Sequence, residues 1–213
     1  MFSRCRKQTQ VMSLMLNVGQ CGIQIGHKTL KNLQTHSNNF PEETSSYFLN
    51  CLNDSEVGNL YANCLLIDTE EKVVDSVQPD GGPGSEIRCE SVISKTNSGS
   101  GNNWSLGFHK NASQNKDQIL SKINKILENM DTFTNVTSIH SLAGGTGSGL
   151  GSKLSIWLHD NFGSKKLSTS VVVSPQKEGD ICVQSFNSVL TLGNLESDVV
   201  LNLENDAYRV LLD

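Results

Sequence analysis

The stretch SLAGGTGSGLGSKLS, residues 141–155, places five glycines in the eight residues from Gly144 to Gly151. Glycine gives up more backbone freedom on folding than any other residue, so a run of it inside a fold needs a compensating use. One such use is to let backbone N–H groups close around an anion, where a β-carbon would obstruct the approach. The flanks favour this over a flexible linker. VTSIHSL (136–142) reads as a buried strand, and LGSKLSIWLHDNF (150–162) reads as a helix with Leu154, Leu158 and Phe162 at near-helical spacing. Strand, glycine-rich turn and helix form a phosphate-binding arrangement. It is neither of the two common kinds. Lys153 follows Ser152 and precedes Leu154, so there is no GK[ST], and the third glycine of G-x-G-x-x-G would fall on Leu150 or Ser152.

The rest of the composition bounds the answer. A chain of 213 residues is long enough for one α/β domain with a sizeable core. A net charge of −5 argues against a nucleic-acid binder, and 36% hydrophobic residues without a long apolar run argue against a membrane span. The six cysteines are scattered with no C-x-x-C pair, which points to thiols in a reducing, cytoplasmic setting. Five histidines without a fixed spacing make no metal site. The opening MFSRCRKQTQ is basic but lacks an apolar core, so residues 1–11 are expected to be a disordered tail and no secretory signal.

Strand-like runs alternate with helical patterns, as in a doubly wound, mostly parallel α/β sheet. Strands are expected at LMLNV (14–18), NCLLID (63–68), 89–93, 136–142, LSTSVVVS (167–174, fully buried) and DVVLNL (198–203). Helices are expected up to about His36, over 115–130, over 150–162 and near 183–195. The stretches 37–60 and PDGGPGSE (79–86) read as loops. Ligands of open parallel sheets bind at the carboxyl ends of the strands. Those ends carry GQCGIQIG (19–26), IDTEE (67–71), SGSGNNW (98–104), the glycine run, SPQKEGD (174–180) and LENDA (203–207). The carboxylates of IDTEE suit Mg²⁺, and the glycines and amides of SGSGNNW suit phosphate oxygens. Each has a plainer use when taken alone: Asp68 or Glu70 as a helix cap or surface charge, Trp104 as core packing, Asn205 as a turn residue. Their order along one sheet edge is what gives them weight together.

AGGTGSG (143–149), in that ordered set, resembles the nucleotide-phosphate signature of the tubulin family, and the resemblance runs from about Met12 to the end. It implies a GTP/GDP site with Mg²⁺. Gln20 and Cys21 would line the base and phosphate side, and Glu70 would be the carboxylate associated with Mg²⁺. Gly99, Gly101 and Asn102 would belong to the loop at the terminal phosphate, with Asn102 facing it. Ser141, Ala143, Gly144, Gly145, Thr146, Gly147, Ser148 and Gly149 would wrap the phosphates, Asp180 would sit by the ribose, and Asn205 would touch guanine. Guanine over adenine comes from the resemblance alone. Within the family, AGGTGSGLG, NSVLTL (187–192) and ENDA (204–207) look most like the delta branch, while IDTEE and DQIL (117–120) lean towards the epsilon branch.

Two departures bear on nucleotide handling: Glu71 where the common tubulins carry proline, and Gln184 where they carry a glutamate near the ribose. The resemblance further implies partners. These are other tubulin subunits across a longitudinal contact, in the cytoskeleton of the cytoplasm and in microtubules of centrioles, basal bodies or cilia. The family's water-activating carboxylate comes from a loop with no match here, so residues 12–213 are expected to form a GTP-binding domain that is incomplete at its C-terminal end, without a catalytic residue of its own. Two other readings stay open: a structural relative with a degenerate site, and an ordinary enzyme using a nucleotide cofactor.

Overall fold

The computed structural model describes residues 11–37, 45–49, 60–77, 87–93, 99–163, 166–176 and 182–206. Residues 1–10 of the expected N-terminal tail, the PDGGPGSE loop and most of the polar stretch 37–60 lie outside these residues, while Val11, expected as the end of the tail, opens the first strand. The elements, in chain order, are β1 (Val11–Val18), α1 (Gly19–Ser37), β2 (Phe48–Leu49), β3 (Leu60–Asp68), α2 (Glu71–Asp75), β4 (Ile87–Ile93), α3 (Ala112–Glu128), β5 (Thr132–Ser141), α4 (Gly151–Phe162), β6 (Leu167–Ser174), α5 (Gln184–Gly193) and β7 (Val199–Glu204). Across the sheet the order is β4–β3–β1–β5–β6–β7, every neighbour parallel, and the short β2 pairs antiparallel with the start of β3. The expected doubly wound α/β architecture is the observed one.

Alternation along the central strands explains why helices cover both faces. Leu14, Leu16 and Val18 of β1, with Leu65, Ile67 and Val136, pack against Ile119, Ile123 and Ile126 of α3 and Leu154, Trp157 and Leu158 of α4. Met15, Cys64, Leu66 and Ile139 point the other way, onto Ile23 and Leu30 of α1 and Val73 and Val74 of α2. Burying each such leucine or isoleucine contributes roughly 1.5–3 kcal/mol, so these two layers supply most of the drive to fold. Glu90 of β4 is clamped by Lys122 and Lys125 of α3, which fixes α3 over that edge and holds the carboxyl below its ordinary pKa.

β7, at the sheet edge, and the outer face of α5 expose apolar side chains, Phe186 and Val189 among them at 72% and 71%. Two features differ from expectation. β6 is not fully buried: Leu167 is exposed, while Ser168, Ser170, Val172 and Val173 are buried and Val171 packs against the α1 cluster. The other difference lies at the helix starts. α3 is preceded by a wide π-helical turn, Leu106–Asn111, and α4 by another, Thr146–Leu150. A β-carbon at Gly107 would overlap the Gly145 carbonyl, and one at Gly149 would overlap the Trp104 carbonyl and lie 2.7 Å from the Phe108 nitrogen. Part of the glycine run therefore serves the contact between two backbones.

Gly149→Ala should destabilise the chain by about 2–3 kcal/mol with no ligand present, because backbone cannot yield to the added methyl as a flexible side chain would. Chemical denaturation of the unliganded variant measures it. An unchanged midpoint and slope would contradict the interlock.

Candidate functional site

β1 feeds α1 towards β3, while its neighbour β5 feeds α4 towards β6, so the chain diverges between them and leaves a crevice beyond their carboxyl ends. Gly19, the first residue of α1, has φ +73°, and a β-carbon there would lie 2.8 Å from the Gly147 nitrogen. A β-carbon on Gly147 would in turn lie 2.7 Å from Ser141 Oγ and 3.1 Å from the Ser141 nitrogen. The missing side chain at Gly147 thus lets the loop settle onto the ends of β1 and β5. This differs from the expectation that it clears space on the ligand side. The loop lies flat, and its backbone faces the crevice with the start of α1.

Hydroxyl groups tie the crevice walls together. Asn111 Nδ2 donates to Ser100 Oγ at 2.7 Å, Ser100 Oγ lies 2.9 Å from Thr146 Oγ1, and Thr146 Oγ1 lies 2.8 Å from Thr69 Oγ1. This chain joins the residues after β3, the loop before α3 and the glycine run. Ser148 Oγ closes the first turn of the run onto the Gly144 carbonyl. In the loop before α3, Gly101 and Asn102 take successive left-handed conformations, φ +52° and +54°. Asn103 Oδ1 then accepts the N–H groups of Ser105 and Leu106, capping the helix start at 2.9 and 3.3 Å.

The resulting cleft holds about 460 Å³, within the range of small-ligand sites. Twelve of the expected residues line it: Gln20, Cys21, Glu70, Gly101, Asn102, Ser141, Ala143, Gly144, Gly145, Thr146, Gly147 and Asn205. Gly99 stands behind Glu70, a β-carbon there lying 2.8 Å from Glu70 Oε1. Ser148 and Gly149 are buried beneath the loop and do not reach the cleft. Asp180 lies outside the described residues. Trp104 packs in the core, stacked on Phe108 with ring centroids 4.3 Å apart and Nε1 directed at Ser152 Oγ. Gln184, one of the two departures, donates to the Gln176 carbonyl and does not line the cleft.

Two carboxylates face the cleft, and among the described residues no lysine or arginine lines it. Glu70 occupies the N-cap position of α2 without any side-chain cap bond, so capping is not its use; it pairs with Lys72 at 2.8 Å. Asp68 is buried. Its Oδ1 accepts the N–H groups of Thr69 and Glu70 at 2.6 and 3.2 Å, while Oδ2 has no partner. Burial raises its pKa to about 6, against the pull of those N–H groups. Burial also raises the Cys21 thiol. Beneath the loop, His140 is fully buried, and loss of solvation lowers its pKa to about 4 against the pull of the Ser141 and Gly147 backbone. Sequence reasoning placed Asp68 in IDTEE and Ser100 in SGSGNNW without assigning either to the site; IDTEE carried a signal for the first, and within SGSGNNW nothing set Ser100 apart from its neighbouring serine.

An anion in such a cleft would meet the starts of α1 and of the turn leading into α4, which carry partial positive charge. It would also meet, among the described residues, two carboxylates and no lysine or arginine, and a divalent cation would reconcile phosphate with Asp68 and Glu70. The orphaned Asp68 Oδ2 and the oxygen-only donors fit Mg²⁺, which takes one or two protein carboxylates and completes its shell from phosphate and water.

Residues 13–212 match the Tubulin/FtsZ family, GTPase domain. The human tubulin delta chain is 32% identical over 206 residues, covering 91% of this chain and 45% of the relative. The human tubulin epsilon chain is 33% identical over 218 residues, covering 92% and 44%, and a tubulin gamma chain from Eremothecium gossypii is 31% identical over 221 residues, covering 94% and 46%. The chain spans less than half the length of these curated relatives. The relatives include both branches that the loop motifs resemble.

The pH dependence of stability follows from two buried groups with opposite signs. The raised Asp68 pKa stabilises the folded state at low pH, and that contribution is lost as pH rises through about 6. The lowered His140 pKa stabilises the folded state above 6.5, and that contribution is lost as pH falls towards about 4. Asp68→Asn should therefore be more stable than the parent by about 1–2 kcal/mol at pH 8, keep part of that advantage at pH 5, lose it only towards pH 4, and show a steeper acid decline. Thermal unfolding across that range, without ligand, is the check. A parent more stable than the variant at pH 8 would contradict the assignment.

Proposed function

The chain belongs to the Tubulin/FtsZ family, and on that premise we propose that its cleft binds a guanine nucleotide with Mg²⁺ and serves a cytoskeletal subunit. The observation that carries the proposal is the convergence of Gly19, the loop at Gly101 and Asn102, and the run from Ser141 to Gly147 around one cleft that holds, among the described residues, two carboxylates and no lysine or arginine. Backbone N–H groups and helix starts would take the phosphates, as in other glycine-rich nucleotide loops. Asn102 would stand by the terminal phosphate, Gln20 and Cys21 by the base and adjacent phosphate, and Asn205 at the end of β7 by guanine.

Asp68 and Glu70 would hold Mg²⁺, which supplies neutralisation of phosphate charge when bound. Asp68 would bind the ion as its carboxylate, so binding should strengthen as pH rises through about 6. Glu70, which pairs with Lys72, would stand on the metal side of the cleft. No residue of the cleft is assigned as a general base. Any hydrolysis would be completed by a carboxylate from a neighbouring subunit across a longitudinal contact. The likeness to delta and epsilon chains supports microtubules of centrioles, basal bodies or cilia, in the cytoplasm, as the assembly. Among the described residues no helix is long and apolar enough to cross a membrane, and neither a membrane nor a nucleic acid is proposed as a partner.

Equilibrium titration of the full chain with a fluorescent GTP analogue, with and without Mg²⁺, tests the reading. Glu70→Ala should weaken binding in Mg²⁺ roughly tenfold while changing metal-free binding less than about twofold, since the carboxylate acts through the ion. An equal loss in both conditions would remove Glu70 from the metal side. No binding by the folded parent in either condition would favour a structural relative with a degenerate cleft.

A further inference from the structure

Asn187, in the first turn of α5, does not line the cleft, yet it touches both loops that form it. Its side chain is buried. Nδ2 donates to the Asn102 carbonyl at 2.8 Å and to the Ala143 carbonyl at 2.6 Å, and Oδ1 accepts the Trp104 N–H at 3.2 Å. Both amide hydrogens and one acceptor position are used, so the amide fits one way round: reversed, its oxygen would face two carbonyls. Asn102 and Ala143 come from separate loops, one before α3 and one after β5. Apart from the backbone contact at the two π-helical turns and the Ser100–Thr146 hydroxyl pair, this amide is a direct tie between those two loops.

What Asn187 grips is also a strained point. Among the described residues Asn102 is the one non-glycine residue with positive φ, at +54°, directly after Gly101 at +52°. A non-glycine residue there persists when its surroundings over-determine it. Capture of the Asn102 carbonyl by a fixed, buried amide is such a determinant, and it dictates where the Asn102 side chain points. We infer that Asn187 is a positioning residue: it registers the Asn102 loop against the phosphate loop and thereby sets how strongly the cleft distinguishes a nucleoside triphosphate from a diphosphate. The inference rests on the nucleotide reading given above.

Titrating the full chain with GTP and with GDP, in Mg²⁺, separates this role from simple support. Asn187→Ala should weaken GTP binding about fivefold or more, the worth of one or two buried hydrogen bonds, while GDP binding stays within about twofold. Asn187→Asp, which keeps the shape and sets an oxygen against both carbonyls, should lose at least as much. Thr191→Val removes another buried hydroxyl bond from the same helix, to the Asn187 carbonyl. It should lower the unfolding midpoint and leave the GTP-to-GDP ratio unchanged. Where Asn187→Ala does not fold, Asn187→Ser, which retains one donor, is read the same way. GTP and GDP affinities that fall by the same factor, or a Thr191→Val ratio that moves with the Asn187 variants, would overturn the inference and leave the nucleotide reading intact. A folded parent that binds neither nucleotide would overturn both.

Discussion

Two helices of this chain begin so close together that neither has room for a β-carbon. Gly107 in the turn before α3 abuts the Gly145 carbonyl, and Gly149 in the turn before α4 abuts Trp104 and Phe108 backbone. Everything at the carboxyl edge of the sheet depends on this approach. It brings the loop at Gly101 and Asn102 beside the loop at Ser141 to Gly147, although β4 and β5 are separated in the sheet by β3 and β1. It also explains the π-helical turns, whose wider first coils let backbone meet backbone before the regular helices diverge over the core. Packing and site are one construction.

Electrostatics then define what the construction can hold. Helix starts favour an anion, while Asp68 and Glu70 oppose one unless a cation intervenes. Asp68 is the costly member, buried with one oxygen unpartnered and a pKa of about 6. A group of this kind destabilises the fold at neutral pH, and a perturbed carboxyl in a cleft is a pattern of functional sites. The hydrogen-bonded chain from Asn111 through Ser100 and Thr146 to Thr69 supports the same geometry, since it links the residues after β3, the segment before α3 and the glycine run.

Much of this was legible in the sequence, for reasons that differ by element. β1 and β3 were clear because both faces are covered and so they read as apolar runs, β5 was clear from its β-branched residues, Val136 and Ile139 among them, ahead of the glycine run, and α3 from Ile119, Ile123 and Ile126. The cleft residues were found through motifs at strand ends, where topology converges whatever the loop conformations. What sequence concealed was the purpose of individual glycines. Gly147 and Gly149 look alike in AGGTGSGLG, yet one seats the loop on β1 and β5 and the other admits a neighbouring helix. Asn187 entered only as the first residue of NSVLTL, and its role was invisible because it donates to backbone carbonyls 85 and 44 residues away, which leave no trace in residue identity. The alternation of β6 was missed because its serines and valines look equally strand-like while only part of the strand is covered.

The central claim is that these loops form a guanine-nucleotide site, and the identity of the nucleotide carried by the purified chain tests it most directly. The folded protein, prepared in Mg²⁺ and freed of unbound solutes, is denatured and the released small molecules are separated and identified. The account predicts GTP or GDP at close to one per chain, diminished when Mg²⁺ is chelated before the separation. Adenine nucleotide in the same amount, or a folded chain that carries none and takes up none when incubated with GTP, would contradict it.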